Sequence, residues 1–148
     1  MAHYLPQGFG APSRFATDIF DLLDRVQYRR MSFSEDLEAL YRFRYDAYRR
    51  EGSIEENAER RCTDYLDEVP NVHRIGLYLD GDLVASMRVH KVTKAMPWSA
   101  GMSAFPDLLG PLLDKGMTII DPSRFTVDDE VAKDNPGLPY LTVRIAAM

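Results

Sequence analysis

Four residues that do not belong in a buried strand stand side by side: Asp121, Pro122, Ser123 and Arg124, inside an apolar, β-branched run from Thr118 to Val127. Pro122 removes a ladder donor, and Asp121 and Arg124 must be desolvated, so a plain central strand is excluded. Proline in a strand pattern implies an edge or a bulge, and bulges re-aim side chains next to active sites. The competing explanation is an internal salt bridge across a bent strand, and residue types alone do not choose between the two. A second violation favours function. Leu37, Leu40, Tyr41, Arg44, Tyr45 and Tyr48 recur at helical steps on one face, which places Arg44 in the middle of a buried stripe. An arginine there needs a carboxylate partner or a cavity, because an unpaired buried charge is very costly.

Asp64 and Asp67 share a face if their segment is helical. They are candidates to pair with Arg44 or to hold a cationic substrate group, against the bland reading of a solvated acidic turn. Arg88 and His90 lie on one side of a strand with Val84 and Ser86, opposite Leu83, Ala85, Met87 and Val89. That side faces solvent or a cleft. His90 has a generic claim as a base, but nothing near it in the sequence orients it. Cys62 lies beside Arg61, which could lower a thiol pKa. The plainer reading is an unreactive surface or half-buried thiol. Three histidines at scattered positions give no metal-ligand spacing.

The elements that must position these residues follow from periodicity. Residues 1–12 read as an irregular arm, and Ser13 caps a short helix through Asp24. Together residues 1–25 form an arm and a short helix ahead of the main domain, 26–148. Val26 to Met31 alternates as a first strand. Ser32-Phe33-Ser34-Glu35 has capping-box spacing, which predicts a helix from Glu35 to Arg50. Glu51 to Arg61 is a polar loop. Val72–Leu79 and Leu83–Val89 flank Asp80-Gly81-Asp82, a strong hairpin signal. Lys91 to Ser103 reads as a loop containing Trp98. Phe105 to Leu113 reads as a helix broken by Gly110-Pro111 and ended by Gly116. The Asp121 strand follows, and after it an acidic run, Asp128 to Glu130. Tyr140 to Met148 opens an apolar helix without a C-terminal cap, so the sequence is expected to be cut from a longer protein.

With 148 residues, net charge −5 and 45% hydrophobic residues, the chain suits one α/β or α+β domain with a real core. The acidic balance argues against nucleic acid as the main partner. The doublets Arg29-Arg30, Arg49-Arg50 and Arg60-Arg61 fit either an acidic protein or phosphate partner, or, more commonly, a solvated helix face. No stretch approaches the ~20 apolar residues of a membrane span. Met1 to Ser13 lacks a signal-peptide pattern, and a single cysteine suits a reducing cytoplasm.

Taken in order, these residues resemble the acyl-homoserine lactone synthases, which have the fold of GNAT-type N-acyltransferases. Arg44-Tyr45-Asp46-Ala47-Tyr48 matches an arginine followed by an aromatic. Asp64 and Asp67 match an Asp-x-x-Asp pair, Arg88 an arginine ending the hairpin, and Phe105-Pro106 a Phe-Pro in the next loop. Asp121-Pro122-Ser123-Arg124-Phe125 matches Glu-x-Ser-Arg-Phe, with aspartate for glutamate. A second departure is Arg50-Glu51-Gly52-Ser53-Ile54, where those synthases carry tryptophan. Both departures, with the wording from Leu40 to Gly52 and from Ile120 to Phe125, bring the sequence closer to the N-acyl amino acid synthases of the FeeM type. The resemblance covers residues 26–148.

It implies a GNAT-like mostly antiparallel sheet flanked by helices, and transfer of a fatty acyl group from a thioester to the amine of an amino acid. Asp121 is then the acid nearest the amine, a general base directly or through water. An ordinary aspartate titrates near ~4 and needs burial to be effective. Arg44, Arg88 and Arg124 would form an ion network with Asp64, Asp67 and Asp121 that shapes the pocket and would hold the acceptor's carboxylate. Tyr48, Ser123 and Phe105 would line the pocket. No covalent intermediate, metal or bound cofactor is needed. Coenzyme A-using relatives carry a glycine-rich loop after the bent strand that cradles pyrophosphate; residues 128–139 are acidic and proline-containing instead, which favours an acyl carrier protein as donor. The alternatives are an acyl-homoserine lactone synthase using S-adenosylmethionine, a non-catalytic acyl- or ligand-binding module, or a piece that is inert alone.

Overall fold

The computed structural model describes residues 10–148. Most of the expected N-terminal arm therefore lies outside the described residues. Helix α1 (Arg14–Leu23) begins where the sequence predicts, with the Ser13 hydroxyl accepting the Ala16 amide. Strand β1 (Val26–Arg30) leads to α2 (Ser34–Arg50). A single 3₁₀ turn, Tyr65–Asp67, precedes the hairpin of β2 (Val72–Leu79) and β3 (Asp82–Val92). Helices α3 (Ala100–Ala104) and α4 (Pro106–Asp114) come before β4 (Ile119–Val127). The chain continues as α5 (Asp129–Asp134), α6 (Leu138–Val143) and a 3₁₀ turn, Arg144–Ala147.

The four strands form one antiparallel sheet in the order β1-β2-β3-β4. On one face Leu77, Leu79, Val84 and Ala85 pack with Leu22 of α1 and Leu138 and Leu141 of α6. Farther along that face Met87 and Val89 meet Ile145. On the opposite face Met31, Leu40 and Tyr41 gather Leu37, Tyr78 and Leu83 beneath α2. The sheet is thus covered on both sides, as the expected GNAT-like α+β architecture requires. The Asp80-Gly81 turn has φ of 51° and 100°, the left-handed pair that a two-residue hairpin needs.

Several local expectations fail for identifiable reasons. Ser32 does not cap α2. Phe33 occupies the cap position and its carbonyl accepts the Leu37 amide, so Ser32 stands one residue too early for a capping box. Leu83 and Val84 lie on faces opposite to those predicted. Tyr78 pairs with Leu83 while Leu77 pairs with Ala85, so Val84 is an extra residue that inverts the alternation. Strand β3 runs on through His90 to Val92, and Ser99 caps α3 inside the expected loop. Pro111 does not break α4, which continues to Asp114. Gly116 does end it, with φ 79°: its amide bonds Leu113 and the Met117 amide bonds Leu112, a Schellman closure. The last apolar helix begins at Leu138 and tightens to 3₁₀ at Arg144.

Candidate active site

The face of the sheet under α2 carries the polar residues. Cross-strand pairs on β3 and β4 align His90 with Asp121, Arg88 with Ser123, and Ser86 with Thr126. From Arg88 back to Ser86 the chain advances two residues while β4 advances three, from Ser123 to Thr126. One residue is therefore extra on β4. Arg124 absorbs it with φ 53°, a left-handed conformation uncommon outside glycine. The bulge predicted from Pro122 exists, but at Arg124. Pro122 itself pairs with Val89 on the outer strand of the described sheet, where proline is tolerated. The consequence is geometric: Ser123, Arg124 and Thr126 all reach toward α2, whereas Phe125 is exposed.

Arg44 and Asp67 are both 0% exposed. Arg44 Nη1 donates to both oxygens of Asp67, at 2.9 and 3.0 Å. Asp67 Oδ2 also lies 3.2 Å from Arg88 Nη1. That same Nη1 donates to Asp64 Oδ1 at 2.6 Å, and Arg124 Nη2 donates to Asp64 Oδ2 at 2.6 Å. The chain Arg44–Asp67–Arg88–Asp64–Arg124 thus stitches α2, the 3₁₀ turn, the hairpin and the bulged strand. The acids are fixed locally as well. Asp64 accepts the Leu66 amide, Asp67 accepts the Asp64 amide, and the Thr63 hydroxyl donates to Asp67. Burial alone would raise Asp64, but hydrogen bonds from Arg88 and Arg124 overcome it and hold the carboxyl down at about 2. Asp67 is likewise penalised by burial and lowered on balance by the Arg44 charge. Burial opposes the charge of Arg124, yet the bond to Asp64 raises it.

Asp121 is not part of this network. Its Oδ2 accepts the Gly101 amide of α3 at 2.7 Å, and no ion pair joins it to Arg124 among the described residues. Its second oxygen carries no hydrogen bond there. Ser123 accepts from Arg88 Nε at 3.0 Å. Tyr48 lies within 3.3 Å of the Thr126 hydroxyl, with the Arg124 guanidinium 5.8 Å from its ring centre. Phe105 sits at the corner between α3 and α4 and is exposed, apart from the ion network.

His90 was expected to lack an orienting partner, and the fold supplies one. Its Nε2 lies 2.9 Å from the Leu66 carbonyl, which can only accept, so Nδ1 is the bare nitrogen. Nδ1 finds no partner among the described residues, and burial lowers the pKa, leaving the ring neutral. Burial raises the Cys62 thiol, in keeping with an unreactive role. The arginine doublets are exposed and mostly tied down: Arg60 lies 3.4 Å from Asp46, Arg61 3.0 Å from Glu38, Arg50 3.9 Å from Asp128, and Arg49 bonds the Ile54 carbonyl. Sequence reasoning missed Gly101 and also Asn71, whose buried amide bonds the carbonyls of Lys91, Met96 and Trp98 and so fixes the loop ahead of α3. Each of these bonds has a backbone group at one end, the Gly101 amide itself or the carbonyls that Asn71 meets, and backbone groups leave no sequence signal.

A family model described as N-acyl amino acid synthase FeeM matches residues 39–148. The chain is also similar to a solved structure titled "The structure of FeeM, an N-acyl amino acid synthase from uncultured soil microbes", with 16% identity and a TM-score of 0.59. That match covers 83% of this chain and 65% of the other, so the chain spans about 65% of the solved relative's length. No curated protein matches the chain. The solved structure bears on the fold, while the family model reaches across α2, the ion network and the bulged strand. The chain belongs to the FeeM family of N-acyl amino acid synthases, which are N-acyltransferases.

Proposed function

We propose that the protein transfers a fatty acyl group from an acyl carrier protein thioester to the amine of an amino acid. The observation that carries this reading is the β4 bulge, which brings Arg124 to the same Asp64 that Arg88 holds, three residues along the strand from Asp121. Three guanidinium groups, Arg44, Arg88 and Arg124, face two carboxylates, Asp64 and Asp67. The uncompensated positive charge suits the carboxylate of an amino acid acceptor, which arginine receives through its fork. Asp121 then stands at the amine end. One oxygen is committed to Gly101, and the other accepts the proton that the nitrogen loses on attacking the thioester carbonyl. The new amide bond forms as the carbon–sulfur bond breaks, and the thiol leaves with a proton. Buried Cys62, with its raised pKa, takes no covalent part.

A carrier protein donor is supported by the segment after β4. The Asp128 carboxylate accepts the amides of Glu130 and Val131 and so occupies the start of α5 with its own negative charge. A pyrophosphate there would meet repulsion and find those donors taken.

The test is mass spectrometry of lipid extracts from cells expressing the protein beside Asp121→Asn. New N-acyl amino acids are expected, falling by about 10²–10⁴-fold with Asp121→Asn. Acyl-homoserine lactones would replace the acceptor with S-adenosylmethionine. No acylated amine from a folded protein would overturn the synthase reading.

A further inference from the structure

The amide of Gly101 reaches the Asp121 carboxylate across twenty residues of sequence, at 2.7 Å. A methyl group built at Gly101 would come 2.8 Å from Asp121 Oδ2, 3.4 Å from its Cγ and 3.4 Å from Leu109 Cδ1. Contacts under 3.0 Å are essentially never found for a real Cβ, so the carboxyl group would have to move. The φ of Gly101 does not require glycine, since it is not among the positive values. Space for the carboxylate is therefore what glycine provides. The surrounding bonds keep α3 in place independently: Ser99 accepts the Met102 amide, the Ser103 hydroxyl pairs with that of Tyr65 at 3.1 Å, and the Phe105 amide bonds the Gly101 carbonyl.

We propose that Gly101 is a positioning residue: its amide and its missing side chain together fix the rotamer of Asp121 and keep one carboxylate oxygen free for the amine. Its catalytic consequence rests on the synthase reading above, but the bond itself does not. Without the bond, the carboxylate can turn its free oxygen away from the attacking nitrogen, and a misplacement of about 1 Å costs on the order of 10²-fold in rate.

Two measurements test this. In a ¹H–¹⁵N correlation spectrum, Asp121→Asn should move the Gly101 amide proton upfield by several tenths of a part per million, because a neutral oxygen is a weaker acceptor than a carboxylate. This readout needs no activity. In steady-state kinetics, Gly101→Ala should lower kcat by about 10–100-fold with the KM for the acyl donor within twofold. Ser99→Ala, which loosens α3 without touching Asp121, should leave kcat within threefold. A Gly101 amide unmoved by Asp121→Asn overturns the proposal and leaves the synthase reading standing. So does a Gly101→Ala enzyme with the parent's kcat, or a Ser99→Ala enzyme that loses as much as Gly101→Ala. If Gly101→Ala fails to fold, the amide shift alone decides.

Discussion

Arg44 and Asp67 form a fully buried pair, and their energetics are asymmetric. Removing one charge strands the other, at a cost of about 3–5 kcal/mol. Asp67→Asn is therefore expected to lower the unfolding free energy by about that amount in urea titrations. The same groups set the acid limit of the fold. Asp64 and Asp67 have lowered pKa values, so their contribution is complete above the ordinary aspartate value of 3.8 and is lost as pH falls below it, for Asp64 toward about 2. His90 acts earlier. Its folded pKa lies below the ordinary 6.5, so the unfolded chain binds its proton first and stability declines as pH falls through that value. Unfolding followed from pH 7 to pH 2 should show a shallow loss below 6.5 and a steeper one below 3.8. His90→Gln should remove much of the shallow part. Arg44 and its carboxylates were legible in the sequence because a charge in an apolar stripe demands a partner. The Asp121–Gly101 bond was not, because any residue except proline carries an amide.

At the scale of elements, the bulge in β4 does one thing. Strand residues alternate faces, so in a regular strand Arg124 would point away from its neighbour Ser123. The extra residue turns it back toward Asp64. Deleting Phe125 would restore regular pairing, leave Ser123 and Thr126 opposite Arg88 and Ser86, and flip Arg124 to the far face. The deletion variant should therefore match Arg124→Ala in activity, whereas Phe125→Ser, altering only an exposed ring, should stay within a few-fold of the parent. The helix stripe and the Asp-Gly hairpin could be read from sequence, since each is encoded within one segment. Both bulges were harder. Pro122 signalled irregularity, but which residue is extra depends on counting along two strands at once, and Val84 gave no signal at all.

The whole molecule is a sheet with two unlike faces. One is apolar and closed by helices from the two ends of the described chain; the other, beneath α2, sets the ion network beside a smaller apolar cluster of Met31, Leu40 and Tyr41. Leu138 is fully buried at the centre of the apolar face, so Leu138→Ala should cost about 2–5 kcal/mol in thermal or chemical unfolding. The Tyr28 hydroxyl adds to this closure by donating to the Leu141 carbonyl at 2.7 Å, bridging β1 and α6. That bond joins residues far apart in sequence, with a consequence for synthesis. As the chain leaves the ribosome, α1 and then β1, β2 and β3 emerge with Leu77, Leu79 and Val84 covered only from the α1 side by Leu22, and they wait for Leu138 and Leu141. At about 5–20 residues per second the wait after β3 is several seconds. A nascent chain paused between residues 92 and 138 would thus present a sticky, half-covered sheet to chaperones, and one paused well past Leu141 would not.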